Sequence, residues 1–219
     1  MQGQFITLEG TEGGGKSTNL QWMESFLIEQ GIDVVVTREP GGTEIGEAVR
    51  TILLNKDFGA MCDDTELLLM FAARAQHIQE KIKPALAKGK WVISDRFTDA
   101  TYAYQGGARG VDKARIAQIE QWVQQGFQPN LTFIFDLPVE IGMARVLSRS
   151  QETGQVIDRF EQEKQVFFEN VRAAYLERAS QAPARYEVLD ASQPINTVQQ
   201  QIQTRLQGVL KGVLKRGSP

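Results

Sequence analysis

Short apolar runs alternate with longer segments of helical periodicity along the chain. The runs are rich in β-branched and aromatic residues, and they cover residues 5–8, 34–37, 91–94, 131–137 and 186–189. Strands that are buried on both faces of a parallel sheet have this almost continuously apolar character. We therefore predict an α/β architecture with a central five-stranded, mostly parallel sheet and helices on both of its faces.

The segments between these runs repeat apolar residues every three or four positions, which is the spacing of one helix face. The predicted helices cover residues 17–30, 45–54, 63–86, 112–126, 139–149, 160–180 and 195–213. Asp63 and Glu66 have the spacing of a capping box, and Asp112 is placed to cap the helix that follows it. Because no repeat or linker interrupts this pattern, we predict a single domain over residues 1–219.

Composition narrows the class of protein. The 219 residues are 42% hydrophobic and 23% charged with a net charge of −3, which is typical of a soluble globular protein and does not favour a nucleic-acid partner. The single cysteine, Cys62, excludes an internal disulfide and favours a reducing, cytoplasmic setting. We see no basic signal region and no apolar stretch of about 18 residues, so we expect no membrane partner.

Residues 10–17 read G-T-E-G-G-G-K-S and match the phosphate-binding P-loop at each specified position. The match lies between a predicted strand and a predicted helix, so we predict the three-layer fold of P-loop NTPases. Glycines let backbone N–H groups converge on phosphate oxygens, Lys16 can reach the β- and γ-phosphates, and Ser17 can ligate Mg²⁺. The predicted ATP-binding residues are Gly10, Thr11, Glu12, Gly13, Gly14, Gly15, Lys16, Ser17 and Thr18.

The remaining motifs favour a small kinase over other P-loop chemistries. The N-K-x-D and D-x-x-G sequences of GTPases do not occur. A kinase needs arginines outside the P-loop to hold the phosphate of its acceptor substrate. Segments 38–43 and 95–97 contain such arginines directly after predicted strands. Because the carboxyl ends of parallel strands form the ligand crevice, we expect both segments beside the P-loop.

Taken in order, these motifs resemble the signatures of the thymidylate kinase family. The most specific is T-R-E-P-G-G-T at 37–43, followed by D-R-F at 95–97 and Y-Q-G-G at 104–107, and the resemblance extends from residue 5 to about residue 206. It implies transfer of the γ-phosphate of ATP to dTMP, giving ADP and dTDP for dTTP synthesis, with Mg²⁺ as the cofactor. It also implies a cytoplasmic homodimer.

The resemblance implies how the base of dTMP is held. Phe71 would stack on thymine and Arg74 would donate to its carbonyl edge, although the helix pattern alone also allows Phe71 a place in the core. Thr101 and Gln105 would line the base edge. The implied dTMP-binding residues are Glu12, Arg38, Pro40, Phe71, Arg74, Arg96, Thr101, Tyr104 and Gln105.

The resemblance also implies how the sugar and phosphate of dTMP are held. Arg38 and Arg96 would grip the phosphate, because a guanidinium fork matches its oxygens. Glu12 would accept a hydrogen bond from the deoxyribose 3′-hydroxyl. Tyr104 would exclude ribonucleotides by crowding the 2′ position.

Catalysis needs positive charge at the transferring phosphoryl group, and the variable P-loop positions supply no basic residue. The implied catalytic residues are Lys16, Arg96, Arg149 and Asp95, and the implied metal ligands are Ser17, Asp95 and Glu39. We expect residues 148–158 to form a lid that brings Arg149 to the phosphates. Because this lid contains few arginines, Arg145 and Arg159 remain alternatives for that role.

Two alternatives remain open on the sequence. Another nucleoside monophosphate kinase would share the P-loop but show no preference for thymine. A nucleotide-binding regulatory module would bind ATP without turnover, although the presence of Lys16, Ser17, Asp95 and Arg96 argues against it. The only histidine, His77, is assigned no role.

Overall fold

The five apolar runs form one sheet in which every neighbouring pair of strands is parallel. The structure is a computed structural model that describes residues 3–58, 60–153, 159–160 and 163–216. The strands are β1 (Phe5–Glu9), β2 (Val34–Arg38), β3 (Trp91–Asp95), β4 (Leu131–Asp136) and β5 (Tyr186–Asp190). Their order across the sheet is β2-β3-β1-β4-β5, which confirms the predicted α/β fold.

Helices follow each strand and account for most of the remaining described residues. They are α1 (Lys16–Glu29), α2 (Glu44–Leu54), α3 (Asp63–His77), α4 (Lys83–Ala87), α5 (Thr98–Thr101), α6 (Lys113–Gln124), α7 (Val139–Thr153), α8 (Gln165–Gln181) and α9 (Ile195–Arg216). Within the described ranges, no helix is both long enough and apolar enough to cross a bilayer.

Alternate residues of the strands pack into different apolar clusters, which shows that the sheet is covered on both faces. Ile6 and Phe133 belong to a cluster with residues of α1 and α9. Ile134 instead packs with residues of α8, and Val92 packs beside α4. Because successive side chains of a strand point to opposite faces, α1 and α9 cover one face while α4 and α8 cover the other.

The prediction of a helix over residues 63–86 is correct in extent but misses a change of geometry. A π-helical segment, Ile78–Ile82, lies between α3 and α4. A second π-helical segment, Tyr102–Ala108, continues α5 where the apolar pattern predicts no helix. Such segments are frequent at functional sites, and the second one contains two of the predicted dTMP-binding residues, Tyr104 and Gln105.

The two predicted helix caps have different outcomes. Asp112 caps α6 by accepting a hydrogen bond from the Ala114 N–H at 2.8 Å, as predicted. The capping box at Asp63 is wrong, because Asp63 is already helical and Cys62 is the N-cap residue. The carbonyl of Cys62 accepts from the Glu66 N–H at 3.1 Å, and the Glu66 carboxylate is directed elsewhere.

The sheet brings the predicted site segments to one edge. The register pairs Leu8 of β1 and Arg38 of β2 with Asp95 of β3. The carboxyl ends of these neighbouring strands therefore meet, and the loops that follow them start side by side. Of the predicted lid, residues 148–153 are the end of α7, while residues 154–158 lie outside the described residues.

Candidate active site

The P-loop connects β1 to α1 and presents the amino terminus of α1 to the open edge of the sheet. Gly15 is the N-cap residue, with φ of 78°, and makes no side-chain cap hydrogen bond. The first N–H groups of α1 are therefore directed at a ligand position and not at a capping side chain. Glycine is required at Gly15 and Gly13 because both adopt positive φ.

The P-loop also packs backbone to backbone against α7. A Cβ atom added at Gly13 would meet the carbonyl oxygen of Gly142 at 2.4 Å. A Cβ atom added at Gly142 would meet the carbonyl oxygen of Glu12 at 2.6 Å. The two glycines therefore permit a contact that places α7, which leads into the predicted lid, directly on the phosphate cradle.

We expect Gly142→Ala to weaken ATP binding, because its methyl group would displace the P-loop from α7. Overpacking of this kind costs about 1–3 kcal/mol. Gly208→Ala is the matched control, since nothing lies within 4 Å of a Cβ at that helical position. Thermal unfolding and the KM for ATP should worsen in G142A, while G208A should be neutral or slightly stabilised. Equal behaviour of the two variants would contradict this packing argument.

Lys16 lies beneath the loop with its ammonium group folded onto the backbone. Its Nζ donates to the carbonyl oxygens of Gly10 at 3.0 Å and Thr11 at 2.8 Å. The same atom lies 3.8 Å from the Glu12 carboxylate. These contacts hold the positive charge of Lys16 at the P-loop, where preorganised charge would favour phosphoryl transfer.

A cavity of about 690 Å³ opens beside the P-loop. Its volume is typical of a site for a small ligand. It is lined by predicted residues from separate parts of the chain, namely Glu12, Gly13, Gly14, Gly15, Lys16, Ser17, Thr18, Arg38, Glu39, Pro40, Arg74, Asp95, Arg96, Thr101, Tyr104, Gln105 and Arg149. The remaining predicted residues, Gly10, Thr11 and Phe71, do not line it.

Arg96 is the central cation of this cavity. Its backbone has φ of 70°, a left-handed conformation that costs a residue with a side chain about 1–3 kcal/mol. The Arg96 N–H bonds to the Leu8 carbonyl at 2.9 Å, and the Arg96 carbonyl accepts from the Ser94 hydroxyl at 2.7 Å. These bonds hold the strained turn and direct the guanidinium into the cavity.

Glu12, Arg96 and Tyr104 form one polar group inside the cavity. An Nη2 hydrogen of Arg96 is donated to the Glu12 carboxylate, and Arg96 also donates to the Tyr104 hydroxyl oxygen at 2.8 Å. Burial alone raises the pKa of Glu12, but Arg96 and Lys16 outweigh burial and lower that pKa to about 2. Glu12 is therefore an ionised acceptor throughout the neutral range.

A buried carboxyl group fixes the segment that follows Arg96. Glu9 accepts the Phe97 N–H at 2.7 Å and the Tyr175 hydroxyl at 2.8 Å. Burial, and after it the charge of Asp99, raises the pKa of Glu9 above its ordinary value. Glu9 thereby links β1, the turn after β3 and α8 beneath the cavity. The sequence places Glu9 only at the end of a strand and gives it no role.

Arg74 reaches the cavity from α3 and is almost fully buried, with 2% of its surface exposed. Its Nε donates to Glu39 at 2.7 Å, and its Nη2 donates to Thr101 Oγ1 at 3.0 Å. Its Nη1 is buried and has no hydrogen-bond partner among the residues that the structure describes. A buried unpaired donor at the cavity wall is available to a ligand acceptor.

Both carboxylate oxygens of Glu39 are bound within this network, and the predicted role of Glu39 as a metal ligand stays a prediction. Its Oε2 pairs with Arg74, and its Oε1 accepts from His77 Nδ1 at 2.9 Å. The other ring nitrogen of His77 bonds to Thr37 Oγ1 at 2.7 Å. Thr37 lies in β2 and Glu39 directly follows the strand, so the two residues are two positions apart and point to the same side. Both therefore reach His77, whereas Arg38 points away and pairs with Glu47. The histidine that the sequence leaves without a role therefore positions Glu39.

Phe71 lies one helical turn before Arg74 and is 2% exposed. The Arg74 guanidinium carbon stands 4.8 Å from the centre of its ring. The ring packs with core residues, including Leu67 and Tyr102. Its predicted stacking on thymine stays a prediction, because in this geometry the ring is covered.

Asp95 and Ser17 have the chemistry that a magnesium ion needs. Both line the cavity at the P-loop, and Asp95 Oδ1 is buried with no hydrogen-bond partner in the described part of the chain. Among the described residues, no group of three or more acidic, histidine or cysteine side chains is placed to hold a metal. Mg²⁺ in kinase sites is commonly held by one or two protein oxygens together with substrate phosphates.

The three candidate lid arginines differ in position. Arg145 donates to the carbonyl oxygens of Gly13 and Ala191, each at 3.1 Å. Arg159 donates to the Leu53 carbonyl at 2.9 Å and does not line the cavity. Arg145 and Arg149 both line the cavity, and Arg149 is close enough to Glu12 to help lower the pKa of that residue.

The fold and this site define a P-loop phosphotransferase that holds a nucleotide triphosphate and a second substrate. Comparison with known proteins gives the particular family. The family model for thymidylate kinase matches residues 8–202. The chain therefore belongs to the thymidylate kinase family, which sets aside the other nucleoside monophosphate kinases.

Individual relatives agree with that assignment over nearly the whole chain. A thymidylate kinase of Pseudomonas entomophila (strain L48) is 58% identical over 211 residues, covering 96% of this chain and 98% of the relative. One of Alcanivorax borkumensis is 54% identical over 202 residues, covering 92% and 95%. The crystal structure of thymidylate kinase from Ehrlichia chaffeensis has a TM-score of 0.74 and 32% identity, covering 94% of this chain and 99% of that chain.

Proposed function

We propose how this member of the thymidylate kinase family transfers the γ-phosphate of ATP to dTMP, giving ADP and dTDP. The observation that carries the proposal is the cavity in which the P-loop, Asp95, Arg96 and Arg74 meet. The P-loop end takes the ATP phosphates, and the Arg74 end takes the base of dTMP. Arg96 lies between them, where the acceptor phosphate and the transferring phosphoryl group come together.

The donor end of the cavity supplies position and charge. The N–H groups at the start of α1 and Lys16 hold the phosphates of ATP. Ser17 and Asp95 would hold Mg²⁺, with Asp95 Oδ1 as the unpaired oxygen available to the ion or its water. When bound, the ion neutralises charge on the phosphate oxygens.

The base of dTMP is held by fixed polar groups at the acceptor end. Arg74 offers its unpaired Nη1 to a thymine carbonyl oxygen, while its other nitrogens are held by Glu39 and Thr101. Gln105 lines the same cavity, and Phe71 packs against the Arg74 guanidinium.

The sugar and phosphate of dTMP lie nearer the P-loop. Arg38 and Arg96 bind the phosphate, with Pro40 beside them. Glu12 accepts the 3′-hydroxyl, for which its low pKa keeps it ionised. The Tyr104 ring is fixed under the Arg96 guanidinium, 4.6 Å from the ring centre, and blocks a 2′-hydroxyl.

Arg149 is our choice for the arginine that stabilises the transferring phosphoryl group. It lines the cavity and is close enough to Glu12 to help lower the pKa of that residue, whereas Arg159 does not line the cavity. Arg145 also lines the cavity, and there it joins α7 to the P-loop by donating to the Gly13 carbonyl oxygen. The P-loop itself supplies only Lys16 as a cation. A second cation from α7 therefore meets the charge that develops during transfer.

We further propose a cytoplasmic homodimer that forms through α2, α3 and α6. These helices pack on one another and expose large apolar side chains, with Leu68 54% and Trp122 78% accessible. Such exposure on neighbouring helices is typical of an interface. The free thiol of Cys62 is consistent with a reducing compartment.

We expect Leu68→Lys to shift the protein from dimer to monomer, because a charge would be buried in the apolar interface. Ile28→Lys is the control, since Ile28 on α1 is similarly exposed, at 57%. Sedimentation velocity at matched concentrations distinguishes the two variants. A wild type that sediments as a monomer would contradict the dimer proposal.

The substrate assignment is tested by a coupled ADP-release assay with ATP, Mg²⁺ and each of dTMP, dUMP, UMP, CMP, AMP and GMP. We expect strong turnover with dTMP, weaker turnover with dUMP and negligible turnover with the ribonucleotides. Preference for another monophosphate would overturn the acceptor assignment. Binding of ATP without any turnover would favour a regulatory module.

A further inference from the structure

Glu66 is a buried carboxylate that the mechanism above does not use. It lies in the first turn of α3, 1% exposed, and it does not line the cavity. Burying a carboxylate is costly unless charges and hydrogen bonds compensate for its lost hydration. The partners of Glu66 therefore indicate what it does.

Two guanidinium groups balance the charge of Glu66. Arg159 Nη2 lies 2.5 Å from Oε2, and Arg109 Nε lies 3.6 Å from Oε1. Arg109 also pairs with a second carboxylate, Glu163, at 2.7 Å. The two arginines are enough to balance the charge of Glu66. Even so, Glu66 Oε1 accepts a further hydrogen bond that is shorter than its contact with Arg109.

That further hydrogen bond comes from the side-chain amide of Gln105, whose Nε2 lies 2.7 Å from Glu66 Oε1. Gln105 is 1% exposed, and it lines the cavity from the π-helical segment Tyr102–Ala108. An ionised carboxylate only accepts hydrogen bonds, so the Gln105 amide must turn its NH₂ group towards Glu66. Its carbonyl oxygen is then the group left for a ligand in the cavity.

We propose that Glu66 is a positioning residue that selects thymine against cytosine by fixing the orientation of the Gln105 amide. Thymine presents an N–H donor at N3 beside its O4 acceptor, whereas cytosine presents an acceptor at N3 beside an amino donor. An oriented Gln105 carbonyl together with the Arg74 donor matches thymine and opposes cytosine. This inference rests on the proposed function, because it takes dTMP as the acceptor at this end of the cavity.

Glu66→Gln tests the inference because glutamine can both accept and donate. In E66Q the Gln105 amide is free to turn either way, since the introduced amide offers an acceptor in one orientation and a donor in the other. We expect the ratio of kcat/KM for dTMP to that for dCMP to fall by roughly tenfold or more. The KM for dTMP should rise more than kcat falls.

Glu163→Gln is the matched control. It removes the other carboxylate that pairs with Arg109 and leaves Glu66, the hydrogen-bond partner of Gln105, in place. A purely structural role for Glu66 would lower the melting temperature and leave the dTMP to dCMP ratio as in E163Q. That outcome would overturn the proposal.

The double variant Glu66→Gln with Gln105→Glu exchanges the two partners and keeps one carboxylate in the cluster. The carboxylate at position 105 then offers only acceptors to the base, and we expect the preference for dTMP to return. This variant also tests the proposal if E66Q alone folds poorly. If the double variant prefers dTMP over dCMP no more strongly than E66Q does, the orienting role is contradicted. If E66Q does not fold, a double variant that shows no preference for dTMP contradicts it. Wild-type turnover of dTMP is measured beside them, so a failed acceptor assignment is distinguished from a failed role for Glu66.

Discussion

Lys16→Met is expected to lower kcat by about 1,000-fold, equivalent to about 4 kcal/mol of transition-state stabilisation. The Lys16 ammonium is held at the cradle by two P-loop carbonyl oxygens. In the proposed mechanism it neutralises charge on the β- and γ-phosphate oxygens in the transition state, which a methionine of similar shape cannot do. Steady-state kinetics with saturating ATP and dTMP measure the loss.

Lys113→Met is the control for this loss. Lys113 lies on α6, exposed, and pairs with Glu177 across the surface, where an ion pair is worth little. We expect wild-type kcat in K113M. Retention of more than a tenth of the wild-type kcat in a folded K16M protein would contradict the assignment of the P-loop as the phosphate cradle.

Arg96→Ala is expected to lower kcat/KM for dTMP by about 100- to 1,000-fold. The substitution removes the cation that we place between the acceptor phosphate and the transferring phosphoryl group. It also leaves the Glu12 carboxylate without its principal partner, and it removes the hydrogen bond that Arg96 donates to the Tyr104 hydroxyl oxygen. Arg172→Ala is the control, since Arg172 pairs with Asp136 and does not line the cavity.

The pH dependence of R96A distinguishes loss of a contact from loss of charge compensation. In the wild type, the pKa of Glu12 is lowered from 4.5 to about 2, so its favourable contribution is present above pH 4.5 and is lost as the pH falls through about 2. Without Arg96, burial raises this pKa against fewer opposing charges. We expect the acid limb of kcat/KM to move to higher pH in R96A, and an unmoved limb would argue against the role of Arg96 in keeping Glu12 ionised.

The sequence predicts the donor half of the site better than the acceptor half. Residues 10–17 form a local motif, and its context of strand and helix is readable from apolar periodicity, so Lys16 and Ser17 are placed by pattern alone. Asp95 and Arg96 follow because they end a strand. These predictions depend only on residues near one another in the chain.

The acceptor half depends on contacts between distant residues, which periodicity does not report. Glu39 and Arg74 are far apart in sequence, and only the fold shows that both oxygens of Glu39 are already bound. The sequence gives His77 no role and Glu66 only that of a capping-box residue, yet in the fold His77 bonds to Glu39 and Glu66 bonds to Gln105. The π-helical segment that carries Gln105 also lacks a periodicity that would reveal it.

The central claim is that this chain transfers the γ-phosphate of ATP to dTMP. Incubation with [γ-³²P]ATP, Mg²⁺ and dTMP, followed by separation of the products, tests it most directly. We expect the label in dTDP, with little inorganic phosphate, and with K16M giving neither product. Label that accumulates as inorganic phosphate, whether dTMP is present or not, would contradict the claim.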